Sequence, residues 1–371
     1  MKSGINNIIL AVLSTALVLA TAGCGAERQA DRQVIERQDK QITVLEQPAP
    51  GTKGEVVVER LLEVPDVRGM DWLDEETILA SKANTDRTPL VLEGNTRYPV
   101  NLILHDLTDQ EQTVLLPSDR DQDAGMLSPD KKHLFFKLME ESLGFGYLRN
   151  METGKVLPVT ESQGPDDLIL GYEGNWIDSE HVLFPTMSGK IYLADVYGQT
   201  EVAADTEDLT VSDVHLFGDR LYYIRGQQLY VQEGDEAPQL LDDQAIWVIP
   251  SPDQQSLALV NRTREREMQL SITDLEGREK FGLSKAVQIF GAAWSRDGTR
   301  LAYNLINPDK GTSGLFVADV VTGKVTQVTI ELESLSNRLQ WSPSGDQLMA
   351  AAFVRKGNSN EPVTYIITLR S

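Results

Sequence analysis

A chain of 371 residues with one cysteine, Cys24, has no internal disulfide and no multi-cysteine zinc site. Histidine is nearly as scarce. The four, His105, His133, His181 and His215, form no HExxH pattern and no cluster, which removes the usual zinc arrangements. All four fall in stretches that read as strands, and His133 and His181 recur at nearly the same point of a repeat, so packing explains them. Positive charge is short too: 34 Lys and Arg face 56 Asp and Glu, for a formal charge of -22. A field of that sign repels phosphate backbones and anionic headgroups, which excludes a nucleic-acid partner and electrostatic membrane docking. Phosphate-loop and dinucleotide patterns are missing, since Gly144-Phe-Gly146 lacks the third glycine and a following helix. No Gly-x-Ser-x-Gly nucleophile elbow occurs. Beyond residue 22 no stretch approaches the ~20 consecutive apolar residues of a membrane helix.

What is present begins at the amino terminus. Lys2 precedes an apolar stretch from Ile8 to Ala22, followed by Gly23 and Cys24. A basic start, a short apolar region and small residues before a cleavage point predict a signal segment over residues 1–23. Ala20-Thr21-Ala22-Gly23-Cys24 resembles the bacterial lipobox, whose cysteine is diacylated and becomes the first residue of the mature protein. That resemblance implies a palmitate-type anchor on Cys24, with the folded part on the extracytoplasmic face of the cell membrane. Two acyl chains at ~0.8 kcal/mol per buried methylene hold such a protein without a spanning segment. Residues 24–53 read as a flexible polar tether, rich in Glu, Arg, Gln and Asp and closed by Pro48-Ala-Pro-Gly, with room for a transient helix over 26–41.

Residues 54–371 carry a repeat. An apolar residue, often Trp, is followed by a turn with Asp, Pro or Gly and then an apolar run. It reads Trp72-Leu-Asp-Glu-Glu-Thr-Ile-Leu-Ala, Met126-Leu-Ser-Pro-Asp, Trp176-Ile-Asp-Ser-Glu-His, Phe217-Gly-Asp-Arg, Pro250-Ser-Pro-Asp, Trp294-Ser-Arg-Asp-Gly and Trp341-Ser-Pro-Ser-Gly. The spacing, roughly 33–55 residues, is that of a propeller or similar array. Aromatics are only 6% of the chain, yet Trp72, Trp176, Trp294 and Trp341 hold one equivalent position, which assigns them to packing. A second hairpin follows in most units, as in Leu315-Phe-Val-Ala-Asp-Val-Val-Thr-Gly, where Asp caps the turn and Gly accepts positive φ.

Two hairpins per unit predict an all-β propeller of four-stranded antiparallel blades. The count is seven, with six or eight left open by a short fourth unit and an insertion around residues 84–98. The last unit lacks a fourth strand, and Glu55-Val-Val-Val-Glu-Arg-Leu-Leu-Glu-Val is free to supply it from the amino-terminal side.

The Ser-Pro-Asp and Ser-Arg-Asp-Gly hairpins resemble the WD40-like (PD40) repeats of TolB-type propellers, over about residues 55–371. That resemblance implies a non-enzymatic scaffold of the cell envelope that binds a protein or peptide, with no cofactor. The alternative is a propeller-type hydrolase or lyase with a carboxylate site, and perhaps calcium, at the central channel. Asp119, Asp121 and Asp123 alternate in an oxygen-rich turn, the spacing of a calcium loop. The glycine falls one place late and no helices flank it, so the expectation is a solvated connection.

Overall fold

The computed structural model describes residues 32–37, 40–45, 56–92, 95–140, 143–160, 168–170, 173–207, 211–308, 311–330, 339–356 and 359–370. The leader and Cys24 lie outside the described residues.

Seven sheets of four main strands follow one another along the chain. Blade 1 runs Arg68–Trp72, Thr77–Ala83, Val100–Asp106 and Gln112–Val114. Blades 2 to 6 begin at Gln122–Leu127, Asn175–Trp176, Val211–Phe217, Ala245–Pro250 and Gln288–Trp294 and repeat the same antiparallel order. First strands of neighbouring blades touch around the axis, whereas fourth strands such as Gln112–Val114 are exposed. Ile169–Leu170 adds a short fifth strand to blade 2.

The seventh blade is built from both ends of the domain. Gln340–Trp341, Gln347–Lys356 and Ser359–Arg370 come from the carboxyl-terminal side, and Val57–Pro65 completes the sheet antiparallel to the last of them. The register runs from Val57 opposite Arg370 to Pro65 opposite Val363. The expected closure by an amino-terminal strand is therefore the observed one, and the blade number is seven.

Second and third strands read as nearly continuous apolar runs because both of their faces are buried between blades. Among the described residues, seven apolar clusters fill the seven seams. In the seam between blades 2 and 3, Phe135 stacks on Phe184 at 5.6 Å and Phe184 on Tyr192 at 6.0 Å. The closing seam joins Val64, Met349 and Ile366 of blade 7 to Trp72, Ile78 and Ile103 of blade 1.

The repeated turn has a common chemistry. In Ser-Pro-Asp-Lys the Ser128 hydroxyl donates to Asp130 at 2.8 Å and accepts from the His133 amide at 3.0 Å. Ser251 with Asp253 (2.5 Å) and Ser295 with Asp297 (2.7 Å) repeat the first contact. The turn places its fourth residue in the left-handed region: Gly298 at φ 70° and Gly345 at φ 78°, but also Lys131 at φ 62° and Gln254 at φ 57°. Glycine meets that geometry without steric cost, while a side chain there is strained.

Two features differ from or refine the sequence reading. Within the stretch read as a flexible tether, Arg32–Arg37 and Lys40–Leu45 form an antiparallel hairpin, with no helix over these residues. The hairpin pairs with Thr329–Ile330 beyond blade 6, through Thr43 opposite Ile330 and Val44 opposite Thr329. Ile42-Thr-Val is β-branched and extended by preference, which outweighs the polar average of the surrounding segment. The insertion in blade 1 contains a small hairpin of its own, Leu90–Leu92 with Asn95–Arg97.

Candidate functional site

The tryptophans of the repeat do more than fill space. Each ends a first strand and donates its indole N–H to a main-chain carbonyl of the preceding blade. Trp72 donates to Gln340 (3.1 Å), Trp176 to Met126 (2.9 Å), Trp294 to Ile249 (3.1 Å) and Trp341 to Ala293 (3.0 Å). All four acceptors lie one residue before the residue that ends the preceding first strand, Met126 before Leu127, Ile249 before Pro250, Ala293 before Trp294 and Gln340 before Trp341, so one contact is copied around the ring. An indole suits the place, with a large apolar body for the seam and one donor that adds a second bond to a carbonyl of the preceding blade's ladder.

These contacts ring the end of the channel where first strands turn into second strands. A cavity of about 240 Å³ opens there between blades 1, 2, 6 and 7, lined by Asp71, Trp72, Lys131, Trp294, Arg296, Gln340 and Trp341 with the prolines 129 and 343. A second hollow of about 210 Å³ adjoins it, sharing Arg296 and Pro343 and adding Arg300 and Asp297.

Asp71 occupies the inner wall. Its carboxylate accepts the amides of Trp72 (2.7 Å) and Leu127 (2.8 Å), tying blade 1 to blade 2. Burial pushes its pKa up from the ordinary carboxylate value, against the opposing pull of the Lys131 charge and the two amides. Lys131 stands 3.5 Å away, longer than a tight ion pair, with its side chain 30% exposed. Arg296 is exposed and makes no hydrogen bond or ion pair among the described residues. The Arg300 guanidinium lies 5.3 Å over the Trp341 ring. On a chain of net charge -22, this mouth gathers cations around an aromatic wall.

The acidic turn lies at the opposite end of the first strands. Asp121 pairs with Arg97 at 2.7 Å and accepts the Val100 amide at 2.9 Å. Asp123 pairs with Arg68, and Asp119 is exposed. The three carboxylates are not brought to one point, and among the described residues no three His, Cys, Asp or Glu side chains converge. The four histidines occupy strands, as expected, one in each of four different blades. His181 meets Asp178 at 2.9 Å, and burial lowers the pKa of His105, whose Nδ1 faces the Gln112 amide at 3.0 Å.

Asp71, Lys131 and Arg296 were not singled out in the sequence. Two signals were available: Asp71 directly precedes a repeat tryptophan, and Lys131 stands where sister turns carry Gly298 and Gly345.

Fold and turns define a seven-bladed β-propeller, and its turns resemble the WD40-like repeats of TolB-type propellers. No protein-family model matches the chain. The Tol-Pal system protein TolB of Francisella tularensis subsp. mediasiatica (strain FSC147) is 28% identical over 106 residues, 28% of this chain. The matched segment spans 23% of that relative's length. Among solved structures, an oligogalacturonate lyase in complex with manganese superposes with a TM-score of 0.62 at 13% identity, covering 92% of this chain and 96% of the lyase. An oligogalacturonate lyase from Vibrio parahaemolyticus gives a TM-score of 0.59 at 12% identity, with 91% and 96% covered. At such identities the likeness is one of fold.

Proposed function

We propose that this chain is a lipid-anchored propeller of the bacterial cell envelope, held by acylated Cys24 on the extracytoplasmic face of the cell membrane, and that it binds a protein or peptide partner. The observation carrying the binding half is the mouth itself, where Lys131, Arg296 and tryptophan rings surround the inward-turned carboxylate of Asp71. A convergent set of buried carboxylates would have favoured catalysis, whereas a mixed aromatic and cationic surface on a rigid ring favours recognition. The anchoring half rests on the sole cysteine standing at the end of a signal-like segment.

Metabolic labelling with a fatty-acid analogue tests the anchor. Cys24→Ala should lose the label and leave the protein unprocessed or released, and equal label on both forms would defeat anchoring. In-cell crosslinking from the mouth, followed by identification of the adduct, tests the scaffold. The competing reading, a hydrolase or lyase using a carboxylate at the channel, rests on fold likeness. Turnover of oligogalacturonate that disappears in Asp71→Asn would replace the scaffold reading with it.

A further inference from the structure

We infer that the mouth between Lys131, Arg296 and the rings of Trp294 and Trp341 receives an extended peptide through one of its carboxylates, with a neighbouring apolar side chain laid on the indoles. The inference rests on the partner-binding reading and adds the chemistry that the partner carries.

Three observations point to an anionic group. Lys131, Arg296 and Arg300 gather at one mouth of a chain whose net charge is -22. Of the acids beside them, Asp297 is engaged within its own turn by Ser295 (2.7 Å) and the Thr299 amide (3.0 Å), and Asp71 is turned inward to two amides. Arg296 is left with no hydrogen bond or ion pair among the described residues, and Lys131 holds only a long 3.5 Å contact. Finally, Lys131 (φ 62°) holds the left-handed turn position that Gly298, Gly345 and Gln254 hold in sister turns, and of these four it is the one that brings a cation to the mouth.

Other features select a peptide over an acidic saccharide. The indole N–H groups of Trp294 and Trp341 are spent on the Ile249 and Ala293 carbonyls, so the rings offer apolar surface to a ligand. Pro129 and Pro343 extend that surface without adding donors. The Ser342 hydroxyl is occupied by Ser344 (3.1 Å) and the Gln347 amide (3.2 Å). A saccharide carries a hydroxyl on most of its carbons and would leave many of them unpaired here. An extended peptide with a carboxylate beside an apolar side chain matches both halves of the wall.

The test is titration of tryptophan fluorescence in the intact protein with a capped hexapeptide bearing one glutamate beside a leucine, and with its glutamine counterpart. The glutamate peptide should bind about tenfold tighter, the scale of one charge-assisted hydrogen bond. Lys131→Gly and Arg296→Gln should each bring the two affinities close together. Lys131→Gly also relieves the left-handed strain and should melt no lower than wild type, so its loss of binding cannot be misfolding. Equal affinity for both peptides, or binding of neither, overturns the inference. An oligogalacturonate fragment that binds where the peptide does not overturns it in favour of an acidic saccharide. A partner crosslinked elsewhere on the propeller, indifferent to both substitutions, would sink this inference while leaving the scaffold reading standing.

Discussion

Trp72 of the first blade donates its indole N–H to the Gln340 carbonyl of the last blade, 3.1 Å away and 268 residues along the chain. The bond crosses the seam where the ring closes, and Trp72 is 1% exposed.

Trp72→Phe keeps most of the apolar filling but removes the indole bond to a carbonyl that the Gln340–Met349 ladder pair already engages. The expected loss is about 0.5–1.5 kcal/mol, the net worth of one hydrogen bond. Urea unfolding monitored by circular dichroism checks it. Tyr197→Ser, on a residue 74% exposed at the rim, is the control and should stay within about 0.5 kcal/mol of wild type.

Removal of residues 54–64 should open blade 7. The strand Ser359–Arg370 would then present an unpaired edge, and Ile366 would lose its neighbour Val64 in the closing seam. Aggregation in size-exclusion chromatography, or a lower and less cooperative melt, is the expected result. An unchanged melting temperature would mean that the ring holds without its closing strand.

Acid should act on the turns and on the mouth in opposite directions. The Ser251 hydroxyl and the Gln255 amide hold Asp253 below its ordinary pKa of 3.8; at Asp130 and Asp297 burial opposes ionisation, but their serine hydroxyls and turn amides outweigh it. The stability these three confer is present above 3.8 and is lost as pH falls through their lowered folded values. Asp71, raised by burial, has the reverse sign: its contribution is full below 3.8 and is lost as pH rises through the folded value. Asp253→Asn should therefore weaken the acid limb of a stability-against-pH curve, while Asp71→Asn should flatten its slope on the acid-to-neutral side. A neutral-side slope unchanged by Asp71→Asn would contradict the burial of that carboxylate.

Calcium should stabilise the fold no more than magnesium does at matched ionic strength. A specific site at a hundredfold excess over Kd would add ~2.7 kcal/mol. Here Asp121 and Asp123 already face Arg97 and Arg68, which a cation would have to displace. General screening on a chain of -22 acts alike for both ions. A calcium-specific rise in thermal melts that vanishes in Asp121→Asn would overturn this expectation.

The blades were legible because their information is local. A Ser-x-Asp turn uses five or six neighbouring residues, and a tryptophan holds the same place in four of the seven units, so spacing alone exposes the array. Closure was legible by subtraction, since one strand was missing at one end and one was spare at the other. The hairpin at Arg32–Arg37 and Lys40–Leu45 was hidden because its polar average masked a short β-branched run, and because its partner Thr329–Ile330 lies far along the chain. The mouth was hidden for a related reason. Asp71, Lys131, Arg296 and Gln340 come from four blades, and none is unusual among its own neighbours.

Closure by Val57–Pro65 also sets an order in time. This strand is among the first of the domain to be synthesised, and its partner Ser359–Arg370 is the last. Until that partner arrives the strand has no sheet to join, and the entropy of drawing the two together across the whole domain is spent in one late step. The six blades between them pair only within themselves and are free to form earlier. Folding should therefore end in a slow locking phase, and substitutions in the closing strand should speed unlocking rather than slow the assembly of the preceding blades.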